Sequence, residues 1–120
     1  MGQSYRDLFA WQKAMRLVIE IYKCTRSFPR DETFGLAAQL RRTAVMIPTS
    51  IADGQSRYSP QEFFSFLGRA RGALAEVETE LILCAELGYL TTEQSENLLG
   101  MAAELGKILN GLVNAIRPAA

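Results

Sequence analysis

Two carboxylates on one predicted helix form the first pattern that could do chemistry. Glu76 and Glu80 stand one helical turn apart, an arrangement that acid–base catalysis or a metal site can use. The chain has 120 residues, no histidine and two cysteines. These counts exclude Ser-His-Asp and Cys-His nucleophile sets, the Glu-x-x-His iron sites of helical bundles and most zinc sites. No glycine-rich phosphate loop is present either. We therefore predict a protein that is not an enzyme and uses no cofactor or metal.

Basic side chains on the first predicted helix suggest a different chemistry, the contact of phosphate groups. Residues 1–30 hold six lysines and arginines against Asp7 and Glu20, in a chain whose net charge is zero. Four of the six line or continue the polar side of the helix: Lys13, Arg16, Lys23 and Arg30. A solvated helix face is the simpler interpretation, and contact with RNA or an acidic partner is the alternative. Overall neutrality predicts weak, salt-sensitive binding. Tyr58, in a predicted loop, could stack on a base.

Arg41 and Arg42 are adjacent, so their side chains point about 100° apart on a helix and cannot both face the core. Arginine is rarely buried without a partner. We assign Arg42 to a structural ion pair with Asp53 or Glu76, and leave Arg41 free to contact a nucleic acid or a partner.

Helical periodicity covers nearly the whole chain, and no useful length of it alternates with a period of two. The predicted helices span approximately 7–27, 33–56, 60–87 and 92–117. Capping signals begin the third and fourth helices, Ser59 with Glu62 and Thr91 with Gln94. The prediction is one all-α domain over 1–120, an antiparallel up-down-up-down four-helix bundle.

The second helix contains a proline inside its apolar stripe. The stripe continues through Pro48 in register: Leu36, Leu40, Ala44, Ile47 and Ile51. An interior proline removes the helix bond to the carbonyl of Ala44, and the hydroxyl of Thr49 or Ser50 could compensate. Because the register survives, we predict one helix with a kink at Pro48.

The first helix has two apolar stripes where a monomeric bundle needs about one. One stripe contains Leu8, Trp11, Met15, Val18 and Tyr22, and the other Ala10, Ala14, Leu17, Ile21, Cys24 and Phe28. This width predicts a homo-oligomer. Gly68 and Gly72, four residues apart on the third helix, indicate close helix approach, either within the chain or by another subunit.

The cysteines and the hydropathy of the chain bear on its environment. Cys24 and Cys84 occupy apolar helical positions, which favours reduced, buried thiols over a disulfide. The sequence has no apolar run long enough for a membrane span and no leader pattern. We expect a cytoplasmic protein with no membrane partner and no small-molecule substrate.

The order and spacing of motifs over three helices resemble the four-helix-bundle proteins encoded in intervening sequences of 23S ribosomal RNA genes. The motifs are Leu8, Trp11-Gln12-Lys13-Ala14, Phe34-Gly35-Leu36, Gln39-Leu40-Arg41-Arg42, Ala44, Ile47-Pro48, Ile51-Ala52-Asp53-Gly54, Arg57, Phe63, Phe66-Leu67, Ala70, Gly72, Leu74 and Glu76. Met46, Ser50 and Asp53 depart from the family pattern, where serine, asparagine and glutamate are common.

This resemblance implies a bacterial protein with a kinked second helix that forms a ring-shaped homo-oligomer, with a pentamer as the expected assembly. The accessory protein of diversity-generating retroelements looks like a relative; it works with a reverse transcriptase and binds nucleic acid through a basic surface. The family name records the location of the gene rather than an activity. Two functions follow: a non-enzymatic oligomer associated with RNA or with a nucleic-acid-processing protein, or a protein-interaction scaffold without RNA contact.

Overall fold

Four α-helices make up most of the computed structural model, which describes residues 4–118. They are α1 (Phe9–Thr25), α2 (Leu36–Gln55), α3 (Pro60–Glu86) and α4 (Thr92–Ile116), and no strand occurs in the described part of the chain. The predicted all-α four-helix fold is confirmed. The first two helices begin later than expected, because short 3-10 turns at Tyr5–Asp7 and Arg30–Glu32 precede them.

The starts of α3 and α4 follow from their capping residues. Ser59 Oγ accepts the backbone N–H of Glu62 at 3.3 Å, and proline is the first residue of α3. At α4, Thr91 Oγ1 accepts the N–H of Gln94 at 3.0 Å, and the Gln94 side chain accepts the N–H of Thr91 at 2.9 Å. The α4 box is therefore reciprocal. At α3 the carboxylate of Glu62 instead contacts Nη1 of Arg57 at 3.3 Å.

The pairing of α2 with α3 can be read from contacts near both ends of the two helices. Near the start of α2, Gln39 Nε2 donates to Glu80 Oε2, late in α3, at 2.9 Å. Near the end of α2, Gly54 lies so close to Phe66 that an added Cβ would stand 2.6 Å from the Phe66 Cβ. Early residues of one helix thus meet late residues of the other, a register that the predicted antiparallel arrangement requires.

Helix α2 continues through Pro48 without a break, and Pro48 is buried. The Thr49 hydroxyl donates to the carbonyl of Val45 at 2.9 Å. This differs from the expected compensation at Ala44, because a threonine hydroxyl reaches the carbonyl four residues before it. The predicted kink requires one continuous helix, which the structure shows. The bend at Pro48 itself stays a prediction.

Both cysteines are free thiols, Cys84 buried and Cys24 partly buried. Burial raises the pKa of Cys84 to about 11, with a smaller contribution from the charge of Glu80. Desolvation also raises the pKa of Cys24. Within residues 4–118, no helix combines the length and apolar character needed to cross a bilayer.

Candidate interaction surface

The two apolar stripes of α1 have different environments. One stripe is buried in the core: Ala10, Ala14, Leu17 and Ile21, continued by Phe28. The other is only partly covered: Leu8, Trp11, Met15 and Val18 are half-buried, and Tyr22 is 39 % exposed. Ile19, beside this second stripe, is 49 % exposed. The bundle therefore buries one stripe and leaves the second open at its edge.

A hollow of about 380 Å³ lies between α1 and α2 along this open stripe. Trp11, Met15 and Val18 line it from α1, and Val45 and Pro48 line it from α2. The buried proline thus forms part of an apolar surface shared by two helices, and the surface continues outward to the exposed side chains of α1.

The basic side chains of α1 are partly neutralised by carboxylates. Lys13 Nζ lies 2.8 Å from Glu104 Oε1 of α4, and this contact lowers the pKa of Glu104. Lys23 Nζ lies 3.4 Å from Glu20 on its own helix. Arg16 is exposed and forms no salt bridge with any described residue. The predicted strip is therefore broken by two ion pairs.

Arg30 lies beyond α1, in the second 3-10 turn, and is exposed. Arg41 is held against α1: its Nε donates to Thr25 Oγ1 at 2.7 Å, and its Nη2 donates to the Tyr22 carbonyl at 3.4 Å. Its guanidinium also stacks over the Tyr22 ring at 4.7 Å. Of the two adjacent arginines, Arg41 is therefore the anchored one.

The expected ion pair of Arg42 with Asp53 or Glu76 is corrected by the structure. Asp53 Oδ1 contacts Nε of Arg57 at 3.1 Å, because the two residues are one turn apart at the end of α2. Arg42 and Glu76 are both exposed, and no salt bridge joins them in the described chain. The charge of Arg42 acts instead on Glu80, where it opposes in part the rise in pKa that burial causes.

Glu80 is a buried carboxyl group whose environment the sequence analysis did not identify. It is buried, with 8 % of its surface exposed, and its Oε2 accepts from Gln39 at 2.9 Å and from Thr43 at 3.4 Å. Its Oε1 has no hydrogen-bond partner among residues 4–118. Desolvation raises its pKa, against the hydrogen bonds from Gln39 and Thr43. The sequence signal for this contact was the presence of polar residues, Gln39 and Thr43 on α2 and Glu80 on α3, at positions that face each other.

No group of three histidine, cysteine or acidic residues in the described chain is placed to hold a metal ion. Glu76 is exposed while Glu80 faces α2, so the two carboxylates do not share one environment. This geometry gives no support to paired acid–base chemistry.

A second surface lies where α2 ends and α3 begins. Arg57 and Arg69 each stack on the ring of Phe66, at 4.8 and 4.6 Å. Tyr58 is 79 % exposed and adopts a positive φ of 53°. It borders a hollow of about 500 Å³ that Arg117 lines from the end of α4. Tyr58 is therefore accessible for stacking, whereas Trp11 is half-buried beside the core.

An all-α bundle of four helices, with charged outer faces and an open apolar edge on α1, defines the class of this protein. The family model described as "23S rRNA-intervening sequence protein" matches residues 6–111. The chain belongs to this family.

A solved structure from Bacteroides thetaiotaomicron has a similar fold. It is described as a protein with unknown function from the S23 ribosomal protein family, and it superposes with a TM-score of 0.81 at 22 % identity. The match covers 88 % of this chain and 95 % of that chain. No curated protein matches the sequence.

Proposed function

We propose that this protein is a non-enzymatic, cytoplasmic oligomer whose ring of subunits, most simply five, associates with structured RNA. The observation that supports an oligomer is the open apolar stripe of α1. Tyr22 of this stripe is 39 % exposed, and Ile19 beside it is 49 % exposed. Because about half of each surface is already covered, burying the rest against a partner stabilises by about 0.7–1.5 kcal/mol per side chain before the costs of association. A closed ring uses two different patches per subunit, and the family resemblance described in the sequence analysis implies this form of assembly.

The association with RNA rests on the arginines that no carboxylate neutralises. Arg16 and Arg30 are exposed and form no salt bridge with residues 4–118. Guanidinium groups bind phosphate oxygens through paired N–H donors. A ring repeats each weak contact once per subunit, so several contacts act together at high effective concentration. The binding is expected to be weak and to fall with rising salt.

Protein scaffolding is the second candidate function, and the salt bridges of α1 favour it. Lys13 and Lys23 are engaged by Glu104 and Glu20, which leaves less positive charge for phosphate. In this alternative the ring binds a nucleic-acid-processing protein and makes no contact with RNA itself.

Light scattering on the native chain tests the oligomer. The expected result is one species with the mass of a small ring at micromolar concentration. A monodisperse monomer overturns the ring.

RNA binding is tested with a variant that loses two exposed arginines, Arg16→Gln with Arg30→Gln. The matched control, Arg71→Gln with Lys107→Gln, removes the same charge from exposed positions on α3 and α4. At low salt the first variant should bind a structured RNA several-fold more weakly than the control variant. This difference in affinity should shrink at moderate salt. Equal binding by the two variants, or none by the native ring, leaves scaffolding as the better function.

A further inference from the structure

We propose that the outer face of α1 in one subunit packs against the outer face of α3 in the next subunit. This inference rests on the proposed ring and names the two patches that the ring requires. The α1 patch is Met15, Ile19, Tyr22, Lys23 and Arg26; the α3 patch is Gly68, Gly72, Glu76, Thr79, Leu83 and Glu86.

The two patches carry opposite charge. Lys23, near the end of α1, and Arg26, just after the helix, border the exposed apolar side chains. Lys23 contacts Glu20 of its own helix at 3.4 Å, but its side chain is still 60 % exposed. In the second half of α3, Glu76 and Glu86 are exposed, and no basic residue occurs between them. Leu83, between these two glutamates, is 45 % exposed. Each face thus combines apolar and charged side chains, and the basic charge of the α1 patch is complementary to the acidic charge of the α3 patch.

The glycines of α3 have no explanation inside the subunit. A Cβ added at Gly68 or Gly72 would meet no atom within 4 Å, so packing within the chain does not require glycine there. Glycine inside a helix costs about 0.5–1 kcal/mol relative to alanine. Gly54, by contrast, is required by the Phe66 side chain. A shallow, glycine-lined surface on α3 accepts large side chains from outside, and α1 presents Met15 and Ile19.

The two patches also lie at the same height along the bundle. Toward one end, Thr25 of α1 bonds to Arg41 of α2. Gln39, half a turn earlier in α2, bonds to Glu80 of α3. Thr25 and Glu80 are therefore nearly level.

The same comparison holds toward the other end. Trp11 shares a hollow with Ala52, and Gly54, half a turn later in α2, abuts Phe66 of α3. Trp11 and Phe66 are therefore nearly level as well, and α1 and α3 run in the same direction. A closed ring has no rise between subunits, so facing residues must be level in a ring whose axis runs along the bundles, which is the arrangement proposed here. Between these two pairs lie the large side chains of one patch and the glycines of the other: Met15 and Ile19, and Gly68 and Gly72.

A second copy of this chain is the occupant that these features favour. Both the charges and the heights match when α1 of one copy meets α3 of another. An unrelated partner would need neither match, and the glycines would then have to accept a different set of side chains.

The sharpest test adds bulk at Gly72 and at a matched glycine elsewhere. Gly100 of α4 is exposed and also has open space around an added Cβ. Gly72→Gln and Gly100→Gln therefore make the same chemical change and gain similar helix propensity. By light scattering, Gly72→Gln should weaken subunit association tenfold or more while thermal stability of the subunit is kept, and Gly100→Gln should keep the native mass.

A Gly72→Gln variant with the native oligomeric mass overturns this interface and leaves the ring itself in place. Dissociation of both variants also overturns it, because the effect is then not specific to α3. A native chain that is already monomeric overturns the ring and this interface together.

A charge exchange gives an independent test. Lys23→Glu and Glu76→Lys should each weaken association by about fivefold per interface, the upper range for an exposed ion pair. The double variant restores opposite charges at every contact between copies, so its association should recover toward the native value. A double variant no better than the worse single variant contradicts the proposed pairing.

Discussion

Tyr89 donates its phenolic hydrogen to Oε2 of Glu32 at 2.9 Å, while Oε1 of the same carboxylate accepts the backbone N–H of Leu36 at 2.9 Å. One carboxylate therefore joins the connection between α3 and α4 to the first turn of α2. The Phe28 ring packs against Tyr89 with centroids 5.4 Å apart, which adds the end of the first connection to the same contact.

The first prediction concerns the pH dependence of this contact. The N–H of Leu36 and the hydroxyl of Tyr89 lower the pKa of Glu32. A carboxyl group whose pKa is lowered by folding stabilises the fold above its unfolded pKa, and this stabilisation is lost as the pH falls through the folded value. Tyr89→Phe should therefore lower stability at pH 7 and reduce the further loss below pH 4. Urea unfolding at pH 7 and pH 3 measures both; parallel losses at the two pH values contradict the prediction.

The second prediction separates two kinds of glycine. At Gly54 an added Cβ would stand 2.6 Å from the Phe66 Cβ and 3.1 Å from Phe63 Cδ1. Gly54→Ala should therefore destabilise by about 1–3 kcal/mol. At Gly111, exposed and with open space, the same change should stabilise by about 0.4–1 kcal/mol. Thermal unfolding of both variants decides, and equal effects at the two sites refute the close approach at Gly54.

The third prediction is that Pro48 contributes to shape more than to stability. Pro48→Ala restores a helix bond, and an interior proline costs about 3 kcal/mol. The change also removes two buried methylenes beside Trp11, at about 0.8 kcal/mol each. We expect a net gain of about 1 kcal/mol in chemical unfolding, together with weaker assembly in light scattering because the helix straightens. A gain of 3 kcal/mol with native assembly would show that the kink is incidental.

The fourth prediction uses the buried carboxyl group of Glu80. Burial raises its pKa above the ordinary value, assisted by the charge of Glu76 and opposed by Gln39, Thr43 and Arg42. The folded state therefore binds the proton more tightly than the unfolded state, and stability falls as the pH rises from the ordinary value through the raised one.

Glu80→Gln should remove this dependence, so that the variant is more stable than the native chain at pH 7 and similar to it near pH 4. Glu96→Gln, at an exposed carboxylate of α4 outside the proposed interface, is the control and should leave the pH profile nearly unchanged. Unfolding curves at several pH values compare the three proteins. A Glu80→Gln profile that follows the native curve contradicts the assignment.

The four helices, and the starts of α3 and α4, were predictable because they depend on local signals. Ser59 and Thr91 cap α3 and α4 as their sequence neighbours indicate. The stripe through Pro48 also predicted an unbroken α2. These features need only the helical period and the chemistry of a few adjacent residues.

The partners of charged side chains were not predictable in the same way. Lys13 meets Glu104 and Arg41 meets Thr25, pairs that are distant in sequence and depend on how the helices rotate against one another. Asp53 pairs with Arg57, one helical turn away, instead of with Arg42 as expected. The burial of Glu80 likewise depends on the rotation of α3 toward α2, which apolar periodicity sets only approximately.

Because Cys84 is buried, the rate at which a reagent labels this native thiol reports on the separation of the helices around it. The thiolate is the reactive form of cysteine, and at pH 8 a thiol with a pKa of about 11 is almost entirely protonated. A thiol reagent added to the folded protein should therefore modify the partly exposed Cys24 first. The delay before Cys84 is labelled then measures how often α3 moves away from its neighbours, without any engineered probe.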